Sequence, residues 1–284
     1  MLDLSIMDGA ASGAHAHEPR GVCVRFWTGE TGAVRARAYI GPDWNSIVWD
    51  GVGTFRFRAN NSTIEVLPAR GASPAKVHDL YRRHILPLVM QANGCEAVHA
   101  SAVMMDQSVV GFCGAGGAGK STIAYALSRR GFPQYADDVL VLKAAPGHVE
   151  AVALPFLPRL RVPSAQFFGK QLVRNLASDL ESHSPRDPLA ALFVLDRVDD
   201  GPARPEIRRC SSVEALTQLL PHAQKFDAVS PASRTRLLQN YLEIAAVVPV
   251  LTVRYGTAFD RFDQLLDRLI EAAGVECSEL CEAR

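Results

Sequence analysis

The sequence predicts an α/β fold over residues 94–284, preceded by a small β-rich unit at 21–93 and a tail at 1–20. Three observations predict it. Segments such as "VCVRFW" and "TFRFRA" alternate apolar and polar residues with the period of a half-buried strand. Beyond residue 94, short apolar runs alternate with stretches of helical spacing. Between one such run and one such stretch lies a loop of glycine and alanine that ends in Lys-Ser-Thr.

The first 20 residues, rich in Ala, Gly and His, read as a mobile tail without the basic start and apolar core of a signal peptide. "NNS" at 60–62 suits a hairpin turn before the strand "TIEVL". A helix follows, with Ser73 as N-cap, Pro74 at the first position, and Val77, Leu80, Tyr81, Ile85, Leu88 and Val89 at helical spacing. Pro87 predicts a kink in it, and Asn93-Gly94 its end.

"AVHASAVMM" and "SVVGFC", separated by the turn-like "DQ", predict paired strands, the second delivering the chain into the glycine loop. Residues 121–130 suit a helix closed by Gly131 and Pro133. "QYA" and "VLVLKA" predict strands on either side of Asp137-Asp138, with further strands at "AVAL", "LAALFVLDRV" and "VPVLTVRY". Helices are predicted over 213–220, 233–246 and 259–273. The polar stretch 169–188 suits either a lid or a solvated helix and loop.

Composition narrows the function. The chain has 284 residues, enough for one large domain or two modest ones, with 48% apolar and 21% charged residues. Thirty basic residues balance thirty acidic ones, so no global field draws it to nucleic acid or an anionic membrane. No apolar run approaches the roughly 20 residues of a membrane span. Six scattered cysteines in a chain this long read as reduced thiols of a cytoplasmic protein. Cys277 and Cys281, like His15 and His17, have no second ligand pair and do not suggest a metal site.

Gly114, Ala115, Gly116, Gly117, Ala118, Gly119, Lys120 and Ser121 fit G-x-x-x-x-G-K-[ST] without a mismatch, and Thr122 follows. Small residues let successive backbone N–H groups turn inward around phosphates, where larger side chains would obstruct them. Lys120 brings a point charge to the β and γ phosphates, and the Ser121 hydroxyl is a ligand for Mg²⁺. The helix that starts there adds the positive end of its dipole. The absence of an N-K-x-D signature makes ATP the expected nucleotide.

Asp137 follows Lys120 by about 17 residues, which leaves room for one helix and a short return strand. The chain therefore comes straight back beside the loop. Two carboxylates near phosphates and Mg²⁺ can divide the work, one completing the metal shell and the other accepting a proton from an incoming hydroxyl. An Asp pair in a turn can also merely cap local backbone; the short spacing favours phosphate transfer.

The run "VHASAVMMDQSVVGFCGAGGAGKSTIAYALSRRGFPQYADDVLVL" resembles the catalytic domain of the HPr kinase/phosphorylase family of serine kinases. His99, the loop from Gly114 to Thr122, Arg129-Arg130-Gly131 and Asp137-Asp138 carry the resemblance, over about 45 residues. It implies a P-loop kinase core of the HPr kinase and phosphoenolpyruvate carboxykinase type, using ATP and Mg²⁺. By the same resemblance Asp138 is the base acting on an acceptor serine, Asp137 sits with Ser121 at the metal, and Lys120 and His99 lie at the phosphates. On the residues alone, His99 reads equally as a strand histidine bonded to backbone. Thr122 stands where HPr kinase itself carries an acidic residue, and the chain looks more like relatives that phosphorylate a serine of a peptide, such as lasso-peptide precursors. The implied partners are ATP and a peptide or protein serine, with homo-oligomer formation left open. A kinase of a small hydroxylated metabolite and a nucleotide-binding switch without transfer remain the alternatives. Arg159, Arg161, Lys170, Arg174 and Arg186 are the downstream cations available to a transferring phosphate.

Overall fold

The computed structural model describes residues 3–7, 21–29, 31–58, 63–156, 168, 186–227, 229–257 and 261–282. The chain divides into two units: 1–95 with 225–237, and 96–224 with 238–284. The return of 225–237 to the first unit is not apparent from the sequence, because a chain that leaves a unit and comes back carries no local signal of doing so.

In the first unit, strands β1 (Asp3–Ile6), β2 (Val22–Thr28), β3 (Val34–Ile40), β4 (Asn45–Trp49), β5 (Gly53–Phe57) and β6 (Thr63–Pro68) form one sheet in the order β1-β6-β5-β4-β3-β2. Residues 3–6, expected in a tail, instead pair in parallel with β6, where the backbone groups of an edge strand offer partners. Residues 8–20, and the turn expected at 60–62, lie outside the described residues. Alternation puts Ala36, Ala38, Ile47, Phe55, Phe57, Ile64 and Val66 on a fully buried face, while Phe26 on β2 stays exposed. Arg56 and Glu65 stand directly opposite each other on β5 and β6 and pair at 2.9 Å.

Helix α1 (Pro74–Leu80) begins as its sequence predicts, Ser73 Oγ accepting from the Lys76 amide at 3.3 Å. Tyr81–Ile85 then form a π-helical turn that runs into α2 (Leu86–Ala92). This turn stands where a proline kink is expected: Pro87 has no N–H for the usual i−4 carbonyl, and the wider turn upstream absorbs the mismatch. Asn93 caps α2 and Gly94 follows in the left-handed region at φ 88.

The second unit is α/β. Strands β7 (Glu96–Val98), β8 (Ala100–Met105) and β9 (Ser108–Gly114) lead to helix α3 (Lys120–Arg129), then β10 (Gln134–Ala136), β11 (Leu140–Ala145), β12 (His148–Val152) and β13 (Arg186–Val198). β14 (Glu206–Arg209), α4 (Ser212–Leu219), a 3₁₀ turn (Leu220–His222), β15 (Ala223–Gln224), α5 (Pro231–Val247), β16 (Val250–Gly256) and α6 (Phe262–Glu282) complete it, α5 beginning in the first unit. Asp106 and Gln107, both at positive φ, turn β8 into β9 as a two-residue hairpin. β14 and β15 have no apolar run of their own, and the pattern along the chain does not mark them.

Two ladders meet on the long strand β13. One runs β10-β8-β9-β13-β16-β14, with β9, β13 and β16 parallel; the other runs β13-β12-β11-β7-β15. Ile123 and Leu127 of α3 pack with Phe112, Phe193, Leu251, Val253, Leu265 and Leu269 in a continuous core. Each such side chain is worth about 1.5–3 kcal/mol when fully buried, which gives the loop before α3 a rigid base. Arg186–Pro188, expected in the polar stretch, instead open β13 and pair with β12. Among the described residues no helix is long and apolar enough to cross a membrane.

Candidate active site

The site lies where the chain steps twice between the two ladders of the second unit. β7 pairs with β11, whereas β8 pairs with β10. His99, between β7 and β8, and Asp137-Asp138, between β10 and β11, therefore occupy neighbouring crossings. Val98 stands opposite Leu140, and Ala102 opposite Ala136. Side chains at the two breaks converge because the strands on both sides hold them in register.

His99 is a bend residue rather than part of a strand. Its amide donates to the His222 carbonyl at 2.8 Å. Its Nδ1 lies 2.7 Å from the Asp138 carbonyl oxygen and 3.3 Å from Asp138 Oδ1. A carbonyl can only accept, so Nδ1 carries the proton and Nε2 faces outward from the pair. Asp138 has φ 72, a left-handed conformation that costs a non-glycine residue free energy, least for Asp and Asn. The imidazole holds it there.

Asp137 points the other way. Its Oδ1 accepts from Ser101 Oγ at 2.8 Å, and Ser101 Oγ lies 3.4 Å from Ser121 Oγ. Burial pushes the Asp137 carboxyl above its ordinary range, against the hydroxyls of Ser121 and Ser101, which favour the ionised form; the charge of Asp138 adds to the upward push. The two carboxylates thus differ: Asp137 is drawn into a hydroxyl network at the loop, and Asp138 keeps a side chain 48% exposed.

The glycine loop joins β9 to α3 with Gly114, Gly117 and Gly119 at φ 147, 92 and 91. A Cβ at Gly119 would stand 2.7 Å from the Tyr255 hydroxyl, so only glycine fits there in both conformation and space. Tyr255 Oη donates to the Ala118 carbonyl, fixing the loop from β16. Lys120 is buried, its Nζ donating to the Gly114 and Ala115 carbonyls at 2.8 and 3.1 Å. The helix N-terminus, the ammonium and the turned amides form a concentrated positive field.

Of the residues singled out in the sequence, Gly114 to Thr122, His99, Asp137 and Asp138 all belong to this one region. Of the cation candidates, Arg186 pairs with Glu150 at 3.3 Å in an exposed pair, and Arg159, Arg161, Lys170 and Arg174 lie outside the described residues. Four residues were not anticipated. Ser101 had a signal, a hydroxyl inside a wholly apolar strand. Tyr255 and Arg197 stand near the ends of predicted strands, where side chains reach a site. His222 had none, being brought in by a 3₁₀ turn far along the chain; burial pulls its imidazole below the ordinary range, helped by Lys120 and His99.

Cys23, Cys95, Cys113 and Cys210 are free thiols. Cys113, under the loop, is pushed up to about 12 by burial, against the pull of Lys120, and is inert as a nucleophile. No cluster of three or more His, Cys, Asp or Glu side chains able to hold a metal occurs among the described residues.

No model of a known protein family and no curated protein matches the sequence. Among solved structures, the HPr(Ser) kinase/phosphatase from Coxiella burnetii is similar over 66% of this chain and 95% of that chain, at 16% identity and a TM-score of 0.35.

Proposed function

We propose that the protein is an ATP-dependent phosphotransferase that moves the γ-phosphate to a hydroxyl, with the serine of a peptide or protein as the acceptor. The observation that carries this proposal is the opposed orientation of two adjacent carboxylates beside a phosphate-loop sequence. Asp137 turns to the loop serine through Ser101, and Asp138 turns to His99 and solvent. A protein that only bound nucleotide would need one of them at most.

In this scheme the amides from Gly114 to Thr122 cradle the phosphates and Lys120 lies along the β–γ pair. The donors fit Mg²⁺: one hydroxyl and one carboxylate, hard oxygens that leave room for water and phosphate oxygens in the shell. Ser121 and Asp137 would hold the ion, and its charge would offset that of the phosphate oxygens. Asp138 receives the proton of the acceptor hydroxyl as that oxygen bonds to the γ-phosphorus and the bond to the bridging oxygen breaks, releasing the diphosphate. His99 is a positioning residue, donating through Nδ1 to hold Asp138 in its left-handed conformation.

Serine as the acceptor rests on the resemblance of residues 98–142 to serine kinases. Incubation with Mg-ATP and peptides bearing internal and C-terminal serines, HPr, and small hydroxylated metabolites tests it, with mass spectrometry reading the transfer. Phosphate on a peptide serine supports the scheme. Transfer only to a metabolite would replace the acceptor while keeping the chemistry.

A further inference from the structure

One imidazole of this region has no part in the scheme above. β15 pairs with β7 through Ala223 opposite Val98, and the ladder extended by one residue sets His222 across from His99. The His99 amide donates to the His222 carbonyl at 2.8 Å and locks that register. Residues that face each other across an antiparallel pair send their side chains to the same face. His222 thus stands on the far side of His99 from Asp138.

The ring of His222 is half-buried and makes no hydrogen bond among the described residues. Burial disfavours its protonated form, and the charges of Lys120 and His99 press the same way. Three nitrogen-bearing side chains therefore meet from separate segments. Lys120 comes from the start of α3, His99 from the break between β7 and β8, and His222 from the 3₁₀ turn. The two carboxylates of the site are engaged elsewhere: Asp137 accepts from Ser101, and Asp138 lies against His99 Nδ1. A partly desolvated ring without an acceptor, set beside an ammonium, is completed by an anion.

We infer that His222 is a further catalytic residue, whose imidazole donates a hydrogen bond to a non-bridging oxygen of the γ-phosphoryl group. The inference rests on the phosphotransferase proposal above, in which Lys120 lies along the β–γ pair. His222 forms no bond to phosphorus and takes no proton from the acceptor hydroxyl. It shares the negative charge of the phosphoryl oxygens while the bond to the bridging oxygen breaks.

Calorimetry with Mg-ATP and Mg-ADP tests it, since only ATP carries the γ-phosphate. His222→Ala should weaken Mg-ATP by about fivefold or more and leave Mg-ADP within about twofold, which also shows the fold intact. Transfer to any acceptor that the wild type phosphorylates should fall by about tenfold or more. His222→Gln keeps an N–H donor and should recover part of both losses. An unchanged Mg-ATP affinity in His222→Ala, or equal losses of ATP and ADP, overturns the role of His222 and spares the phosphate loop. Failure of the wild type to bind either nucleotide overturns both.

Discussion

Ser101 Oγ donates to Asp137 Oδ1 at 2.8 Å from a fully buried position on β8. The hydroxyl links two segments that the sequence separates by a turn, a strand, a loop and a helix. It also lies 3.4 Å from Ser121 Oγ, and the Asp137 carboxylate meets the hydroxyls of both serines.

Ser101→Ala leaves a mostly buried carboxylate short of one donor. An unmet partner of this kind costs about 1–3 kcal/mol, and the charge of Asp137 puts the loss toward the upper end. Thermal unfolding should show the lower stability. A Mg²⁺ titration of nucleotide binding should show a weaker dependence on the ion, because Asp137 is no longer aimed.

Asp137→Asn should do the opposite to stability. Burial raises the folded-state pKa of this carboxyl, so the folded protein favours the neutral form. The stability it contributes is present below its unfolded pKa of about 3.9 and is lost as pH rises through the folded value. At pH 7 the variant should melt higher than the wild type, while losing transfer activity. Below about pH 4 the two should melt together. Equal melting at neutral pH would mean that the hydroxyls already offset the burial.

Gly119→Ala meets two obstacles. The residue has φ 91, which costs an L-residue roughly 1–2 kcal/mol, and its Cβ would press on the Tyr255 hydroxyl at 2.7 Å. Nucleotide affinity should fall by about tenfold or more. Adding Tyr255→Phe removes the steric contact but not the backbone cost, so the double variant should recover part of the loss. Full recovery would assign the whole effect to the clash.

Away from the site, Glu214 closes the capping box of α4. Its Oε2 accepts from the Ser211 amide at 2.8 Å, and Oε1 from Arg208 at 3.1 Å. The Ser211 amide, Arg208 and the Ser211 hydroxyl hold its pKa at about 2, below the unfolded value near 4.3. The stability this brings is present above pH ~4.3 and is lost as pH falls toward 2. Glu214→Gln should therefore be less stable than wild type at pH 7, with the gap closing on acidification, as read by thermal melts across that range.

The elements with strong local patterns were legible. The β8–β9 hairpin, the glycine loop, α3 and the turn at the Asp pair follow from apolar runs broken by turn residues and from a run of glycine and alanine ahead of a helix-forming stretch. The crossing of two ladders was not legible, because it depends on which strands pair. Without it, His99 reads as an ordinary strand residue and Ser101 as a stray hydroxyl. His222 reaches the region through the fold alone. The strand at 3–6 was missed because four residues are too short a pattern to stand apart from the small residues after it.

The most direct measurement is phosphate transfer from Mg-ATP to serine-bearing peptides by wild type and Asp138→Asn, with nucleotide affinity measured on both. The account predicts transfer by the wild type and at least about a hundredfold loss in the variant, at unchanged ATP affinity. Full transfer by Asp138→Asn would contradict it, by showing that no proton passes to that carboxylate.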